Sequence, residues 1–278
     1  MVDFAACPDE AVRAAEAVCG PIVLTEITDR RGSAVWKAVG PTGSVAIKAG
    51  YGEGAEITAR EGAVLDQLPG YSVITGRYDS GVWYVTPWLL GPSTWELFKP
   101  VRHGDGGHEQ AFSGAVDLCL AVADLHAAGW VHGDLQPAHC IHTDRGARLL
   151  DLAWAWSPGF PPSSVFQGGI THLLAPELAA AVESGVRPVL TTTASDVYAL
   201  AGTLWTCVTG RWPLDYDSAG IGPDVGPGTR RAAIASGEIP LRAAEPRPDF
   251  QAVLRPVLRE PARSRPGAAE LAAVLKQL

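Results

Sequence analysis

Strand-like and helix-like patterns do not mix along these 278 residues; they are sorted by position. Five short runs rich in β-branched and aromatic residues, 22–28, 34–39, 44–49, 73–78 and 82–86, predict strands, and a helical pattern at 55–67 separates the third from the fourth. Pro41-Thr42-Gly43 supplies the turn between the second and third runs. An Ala-rich helical pattern at 9–18 precedes them and stops at Gly20-Pro21. Beyond residue 91 the apolar spacing is helical, over 109–128, 175–183, 194–209, 229–236, 250–258 and 268–277. The expectation is an α+β chain: a small antiparallel sheet with one main helix, then a larger, mostly helical part. A hydrophobic content of 47% over this length suffices for a large core.

Charge and cysteine usage narrow the partners. A net charge of −8 argues against a nucleic-acid partner held through phosphate contacts. The five cysteines, Cys7, Cys19, Cys119, Cys140 and Cys207, are odd in number and scattered, without the paired spacing of a metal site, which points to a reduced compartment. The first ten residues lack a basic patch followed by an apolar core, and no later run approaches about 18 uninterrupted apolar residues. These features predict a cytoplasmic protein with no membrane partner.

The residues with chemical potential form an ordered series. In Val131-His132-Gly133-Asp134-Leu135-Gln136-Pro137-Ala138-His139 a carboxylate sits in a Gly-Asp turn context, and in Leu149-Leu150-Asp151-Leu152-Ala153 a second one ends a strand-like run. Upstream lie Ser44-Val45-Ala46-Ile47-Lys48 and, in the helical pattern that follows, Glu61. Downstream come Leu174-Ala175-Pro176-Glu177, Ser195-Asp196-Val197-Tyr198-Ala199-Leu200 and Arg263-Ser264-Arg265-Pro266. In order and content this series resembles the protein kinase superfamily, in its eukaryotic-like bacterial Ser/Thr branch, from about Ile22 onward. The matching family elements are the third-strand Val-Ala-Ile-Lys, the catalytic loop His-Arg-Asp with an Asn five residues after the Asp, the metal-binding Asp-Phe-Gly, and Ala-Pro-Glu.

The resemblance implies a bilobal fold: an N-terminal helical extension over 1–21, a sheet-built N-lobe over 22–86, a hinge over 87–91 and a helical C-lobe over 92–278. It implies ATP and Mg²⁺ as cofactors. Lys48, held by Glu61, would grip the phosphates; Val35 and Ala46 would cover adenine, with Thr86, Pro87 and Leu89 at the hinge edge. Asp134 would act on the acceptor's hydroxyl proton with Gln136 beside it, and Asp151 would bind the metal with His139 next to it. An arginine of the 263–266 segment would pair with Glu177. His132 reads as a packed, hydrogen-bonded core histidine.

Several occupants depart from the family pattern. Thr28, Arg30 and Ser33 stand where the three glycines of the phosphate lid belong, leaving Gly32 as the only glycine, so the lid is expected to be differently shaped. His139 replaces an asparagine, and imidazole is a poorer ligand than oxygen for magnesium. Gln136 replaces a lysine and Ile170 a threonine, which points to a remodelled acceptor site. Gly133 removes the arginine that would read a phosphate, so phosphorylation of Ser163 or Ser164 is not expected to switch activity through that pocket. Leu152-Ala153 keeps an apolar plug but lacks the flexible glycine.

The leading expectation is an ATP-dependent phosphotransferase acting on a Ser or Thr hydroxyl of a protein or peptide, as in stand-alone kinase modules of bacterial peptide-modifying pathways. Two other readings stay open: a pseudokinase that binds nucleotide or a partner protein, and nucleotidyl transfer or a small-molecule kinase. Trp88, Trp95, Trp154 and Trp156 are candidates for a partner surface.

Overall fold

A computed structural model describes residues 5–242 and 245–278. Of the extension expected over 1–21, residues 1–4 lie outside the described residues. The chain divides into two compact units, one running to Leu89 and the other from Leu90 to Leu278. The first carries a five-stranded antiparallel sheet and the second is mainly helical, an α+β architecture consistent with the bilobal kinase-like fold that the resemblance implies.

The first unit contains α1 (Asp9–Cys19), β1 (Val23–Arg30), β2 (Ser33–Gly40), β3 (Gly43–Tyr51), α2 (Gly54–Gln67), β4 (Ile74–Tyr78) and β5 (Gly81–Pro87), with strand order β1-β2-β3-β5-β4. Period-two alternation sorts its side chains onto two faces. Ala34, Trp36 and Ala38 of β2, Val45, Ile47 and Ala49 of β3, and Trp83 and Val85 of β5 bury one face against Ala11, Ala15 and Cys19 of α1. Small residues at four-residue spacing let α1 lie close to the sheet. Its C-terminus rests on Gly40, where a Cβ would stand 2.2 Å from the Cys19 carbonyl oxygen. Its last carbonyls are capped from the β2–β3 turn: Thr42 donates its N–H to Cys19 O (3.2 Å) and its hydroxyl to Val18 O (2.9 Å).

The opposite face belongs to α2. Thr58, Glu61, Val64 and Leu65 are buried on that helix, and Gly50 of β3 and Gly62 of α2 mark its close approaches to the sheet.

The β1–β2 connection departs from the expected lid. Strand β1 runs on to Arg30, so Thr28, Arg30 and Ser33 all sit in the ladder, and Arg30 pairs with Ser33 across a two-residue turn. Arg31 (φ 54°) and Gly32 (φ 72°) are both left-handed, the geometry of a tight hairpin. The tip is seated inside the unit: Gly32 O accepts the Tyr51 N–H at 2.8 Å, and a Cβ on Gly54 would lie 2.0 Å from that same oxygen.

The second unit holds α3 (Thr94–Leu97), α4 (Lys99–His103), α5 (His108–Ala127), a hairpin of β6 (Cys140–Thr143) and β7 (Gly146–Leu149), then α6 (Pro176–Glu183), α7 (Thr193–Thr209), α8 (Pro227–Ser236), α9 (Pro248–Arg259) and α10 (Ala268–Leu275). Helix α7 is its axis. It opens with a reciprocal Thr192–Ser195 cap and buries Tyr198, Leu200, Leu204 and Trp205 completely. Arg265 braces that capped end: it donates to Ala194 O at 3.1 Å and forms a two-pronged pair with Glu177, Nη1–Oε1 2.5 Å and Nη2–Oε2 2.9 Å, which assigns the expected arginine partner. Among the described residues no helix is long and apolar enough to cross a membrane.

Two predictions concern stability. Replacing Gly54 by Ala should lower unfolding free energy by about 1–3 kcal/mol through overpacking against Gly32, whereas Gly226→Ala, with open space around it, should change little in the same urea titration. His172 packs flat on Trp212 and hydrogen-bonds the Tyr216 hydroxyl at 3.1 Å; burial, aided by the Arg230 charge, depresses its pKa to about 4. The folded state therefore favours the neutral ring, and this contribution is complete above about pH 6.5 and lost as pH falls toward 4. Urea midpoints at pH 7 and pH 4.5 should show a smaller acid loss for His172→Gln than for the native chain.

Candidate functional site

Each unit gathers part of the expected site. In the first, ladder pairs put Val35 opposite Lys48, Ala46 opposite Thr86 and Lys48 opposite Tyr84, so these side chains share the α2-facing side of the sheet. Lys48 Nζ donates to Glu61 Oε2 at 2.5 Å, with the Glu61 side chain 3% exposed. An ammonium fixed by a buried carboxylate on a rigid strand is a positioned cation beside small and apolar side chains. Lys37 on the same face lies over the Trp88 ring, 4.8 Å from its centre, and Trp88 donates its N–H to Ser44 O. Pro87 pairs with Val45 and so falls on the α1 side, exposed, while Leu89 is half-buried at the end of the unit. Of the hinge-edge residues, only Thr86 joins the Lys48 face.

In the second unit a buried carboxylate organises the loop before β6. Asp196, on α7 and 2% exposed, accepts the His132 N–H (2.7 Å), the Gly133 N–H (2.9 Å) and His126 Nε2–H (3.0 Å). Thr203, two turns along α7, donates its hydroxyl to Leu135 O at 3.3 Å. His132 is fully buried; its Nε2–H donates to Leu150 O at 3.0 Å and its Nδ1 accepts the Asp134 N–H at 3.2 Å. Burial holds its pKa below the ordinary histidine value, against the Asp196 charge, so the ring is a neutral strut. Asp196 was read from sequence only as part of the 195–200 run, with no role assigned, and His126 was not singled out. A lone carboxylate at the head of an otherwise apolar helix was the available signal, because a buried charge must find donors.

The loop aims Asp134. Gln136 Nε2 donates to its Oδ2 at 3.1 Å. On the other side Gly169, with φ +60°, leaves so little room that a Cβ there would sit 2.3 Å from Asp134 Oδ1. Gly169 is a second positioning element, visible only in three dimensions.

The β6–β7 hairpin then brings the metal-type residues together. Cys140 pairs with Leu149, and the Leu150 N–H donates to His139 O at 2.9 Å, so His139 and Asp151 meet at the open end of the hairpin. His139 Nδ1 lies 2.8 Å from the Asp134 carbonyl oxygen, and Nε2 lies 2.9 Å from Asp151 Oδ2. Burial works against charge on this ring, but the hydrogen bond to Asp151 and the charges of Asp151 and Asp134 outweigh it and raise its pKa. Asp151 adopts the left-handed region (φ 54°, ψ 55°), a conformation that a non-glycine residue keeps only where its surroundings hold it. The carboxylate suits Mg²⁺; the imidazole nitrogen does not.

The segment after Asp151 is tied by aromatic residues in place of an arginine–phosphate pair. Trp156 exchanges backbone hydrogen bonds with Val131 (2.9 and 3.1 Å), and its indole N–H reaches the Thr191 hydroxyl at 2.9 Å. Trp154 packs on Phe166 and Trp130 on Phe160. Ser163 is buried and Ser164 exposed. Trp95 stacks with Arg102, 3.6 Å from the ring centre, so each of the four tryptophans considered above has a partner within its own unit.

Asp196→Ala strands three donors near the loop and should cost about 3–6 kcal/mol of stability, read from denaturant unfolding.

No family model matches the chain. A stretch of 159 residues, 54% of the chain, is 31% identical to the serine/threonine-protein kinase PknK of Mycobacterium tuberculosis, and the same holds for PknK of Mycobacterium bovis. A stretch of 114 residues, 39% of the chain, is 31% identical to the probable serine/threonine-protein kinase CE0033 of Corynebacterium efficiens. The chain spans only 14% and 16% of the length of these curated relatives. A five-stranded antiparallel sheet followed by a helical unit, the ordered motifs and these relatives support a divergent protein-kinase-like domain.

Proposed function

We propose that this chain is an ATP-dependent phosphotransferase of protein-kinase type whose acceptor is a Ser or Thr hydroxyl of a protein or peptide. The observation that carries this reading is the joint retention of a Lys48–Glu61 pair at 2.5 Å and an Asp134 carboxylate held from two sides by Gln136 and Gly169. ATP with a divalent cation would supply the transferable phosphoryl group and the charge that neutralises it.

The residues divide the work. Lys48 offers an ammonium fixed by Glu61 to phosphate oxygens, and Val35, Ala46 and Thr86 on the same sheet face offer surface to a base. Asp151 offers a carboxylate to the cation. Asp134 accepts or orients the acceptor's hydroxyl proton, with Gln136 fixing the carboxylate rotamer. Gln136 brings no charge to that point, unlike the lysine the family places there, so the acceptor is oriented by hydrogen bonding alone. The aromatic ties of the segment after Asp151 support a reading in which order there does not await phosphorylation.

The seated β1–β2 turn favours one alternative, a pseudokinase that binds nucleotide and transfers nothing, because a tip occupied by Tyr51 and Gly54 is not an open glycine lid.

Thermal shift and calorimetry with ATP, with and without divalent cation, separate these readings. Cation-dependent binding at a hundredfold excess over Kd should stabilise the native chain by about 2.7 kcal/mol and fail in Lys48→Ala and Asp151→Ala. Asp134→Asn should keep that binding while self-phosphorylation or ATP turnover falls by about 10²–10⁴. Turnover unchanged in Asp134→Asn would overturn the assigned mechanism, and nucleotide binding without turnover in the native chain would move the assignment to the pseudokinase.

A further inference from the structure

His139 and Asp151 present two donor atoms of unlike chemistry to one place. The Asp134 carbonyl can only accept, so the 2.8 Å contact puts a hydrogen on His139 Nδ1 and leaves the lone pair of the neutral ring on Nε2. A ring nitrogen that donates to a backbone carbonyl, leaving the other nitrogen to ligate, is how metal-bound imidazoles are usually oriented. The orientation is fixed: His139 is 7% exposed, and its ring lies near-parallel to that of His132 at 6.4 Å. Asp151, whose side chain is 44% exposed, places Oδ2 2.9 Å from Nε2.

Two electron-rich atoms at that distance need a positive charge between them or beside them. A proton is one solution. A six-coordinate cation is the other, because two adjacent ligands on bonds of about 2.1 Å stand about 3 Å apart. Magnesium fits the second solution poorly: it favours oxygen-only shells, whereas first-row transition cations accept a mixed imidazole and carboxylate pair.

We propose that His139 Nε2 and Asp151 Oδ2 together ligate one first-row divalent cation, with Mn²⁺ as its probe, in preference to Mg²⁺. This rests on the nucleotide-binding reading above, since phosphate oxygens and waters must fill the remaining positions. The exchange of asparagine for histidine then changes which cation the site selects and does not abolish the site.

The test is Mn²⁺ binding to the full chain with saturating ADP, followed by electron paramagnetic resonance and by competition with Mg²⁺. The expected result is nitrogen coupling on the bound Mn²⁺ that changes when the histidines carry ¹⁵N, with Mn²⁺ preferred by about tenfold or more. In His139→Asn, and independently in His139→Gln, the coupling should vanish and the preference should shrink toward parity, with ADP still bound. Bound Mn²⁺ without histidine coupling, and a preference unchanged in both variants, would overturn the proposal while leaving the nucleotide reading intact. Failure of the native chain to bind ADP under any condition would overturn that reading, and this proposal with it.

Discussion

The second unit is organised around a carboxylate that water cannot reach. Asp196 stands on a helix that is buried almost throughout, and an ionised group there is tolerable only if its oxygens are saturated with donors. The donors it finds are the backbone N–H groups of His132 and Gly133 and the ring of His126. Satisfying that demand fixes the backbone one residue before Asp134. From there the sequence of dependence runs outward: His132 spans from the loop to Leu150, Leu150 binds back to His139, and His139 reaches Asp151. Each link is a hydrogen bond between groups that burial would otherwise penalise.

The first unit works by register. A one-residue slip of β3 against β2 would turn Lys48 into the α1-facing core and expel Ile47 and Ala49. The apolar face that packs on α1 therefore guarantees that the cation emerges on the side where Glu61 waits. Packing on one face sets the chemistry available on the other.

Much of this was legible before any coordinates, and the reasons are local. The strand runs carry β-branched residues between turn signals, so their observed bounds differ from the expected ones by only one or two residues at most ends. Lys48, Glu61, Asp134 and Asp151 were singled out because the ordered motifs around them resemble those of the protein kinase superfamily. The short helix Thr94–Leu97 was missed although its Ser93–Glu96 cap was readable, and β6 was missed because four residues carry too little periodicity. The contact of His139 with Asp151 was out of reach for another reason. It exists only because a hairpin folds one end of the segment onto the other, and pairing of that kind leaves no trace in composition. Gly169 is similar: its value lies in the space it leaves beside Asp134. The extra length of β1, which replaced an expected loop, follows from the left-handed Arg31-Gly32 pair that closes the hairpin early.

The seat of Gly32 on Gly54 has a mechanical meaning. With an oxygen of the turn wedged where a side chain would be, and tied to the Tyr51 amide, the hairpin tip and the first turn of α2 cannot slide past each other. They form one lever. The helix whose first turn meets the tip is the one that carries Glu61, the partner of Lys48. In this chain the β1–β2 tip and the start of the helix that carries Glu61 pack backbone to backbone, as one piece.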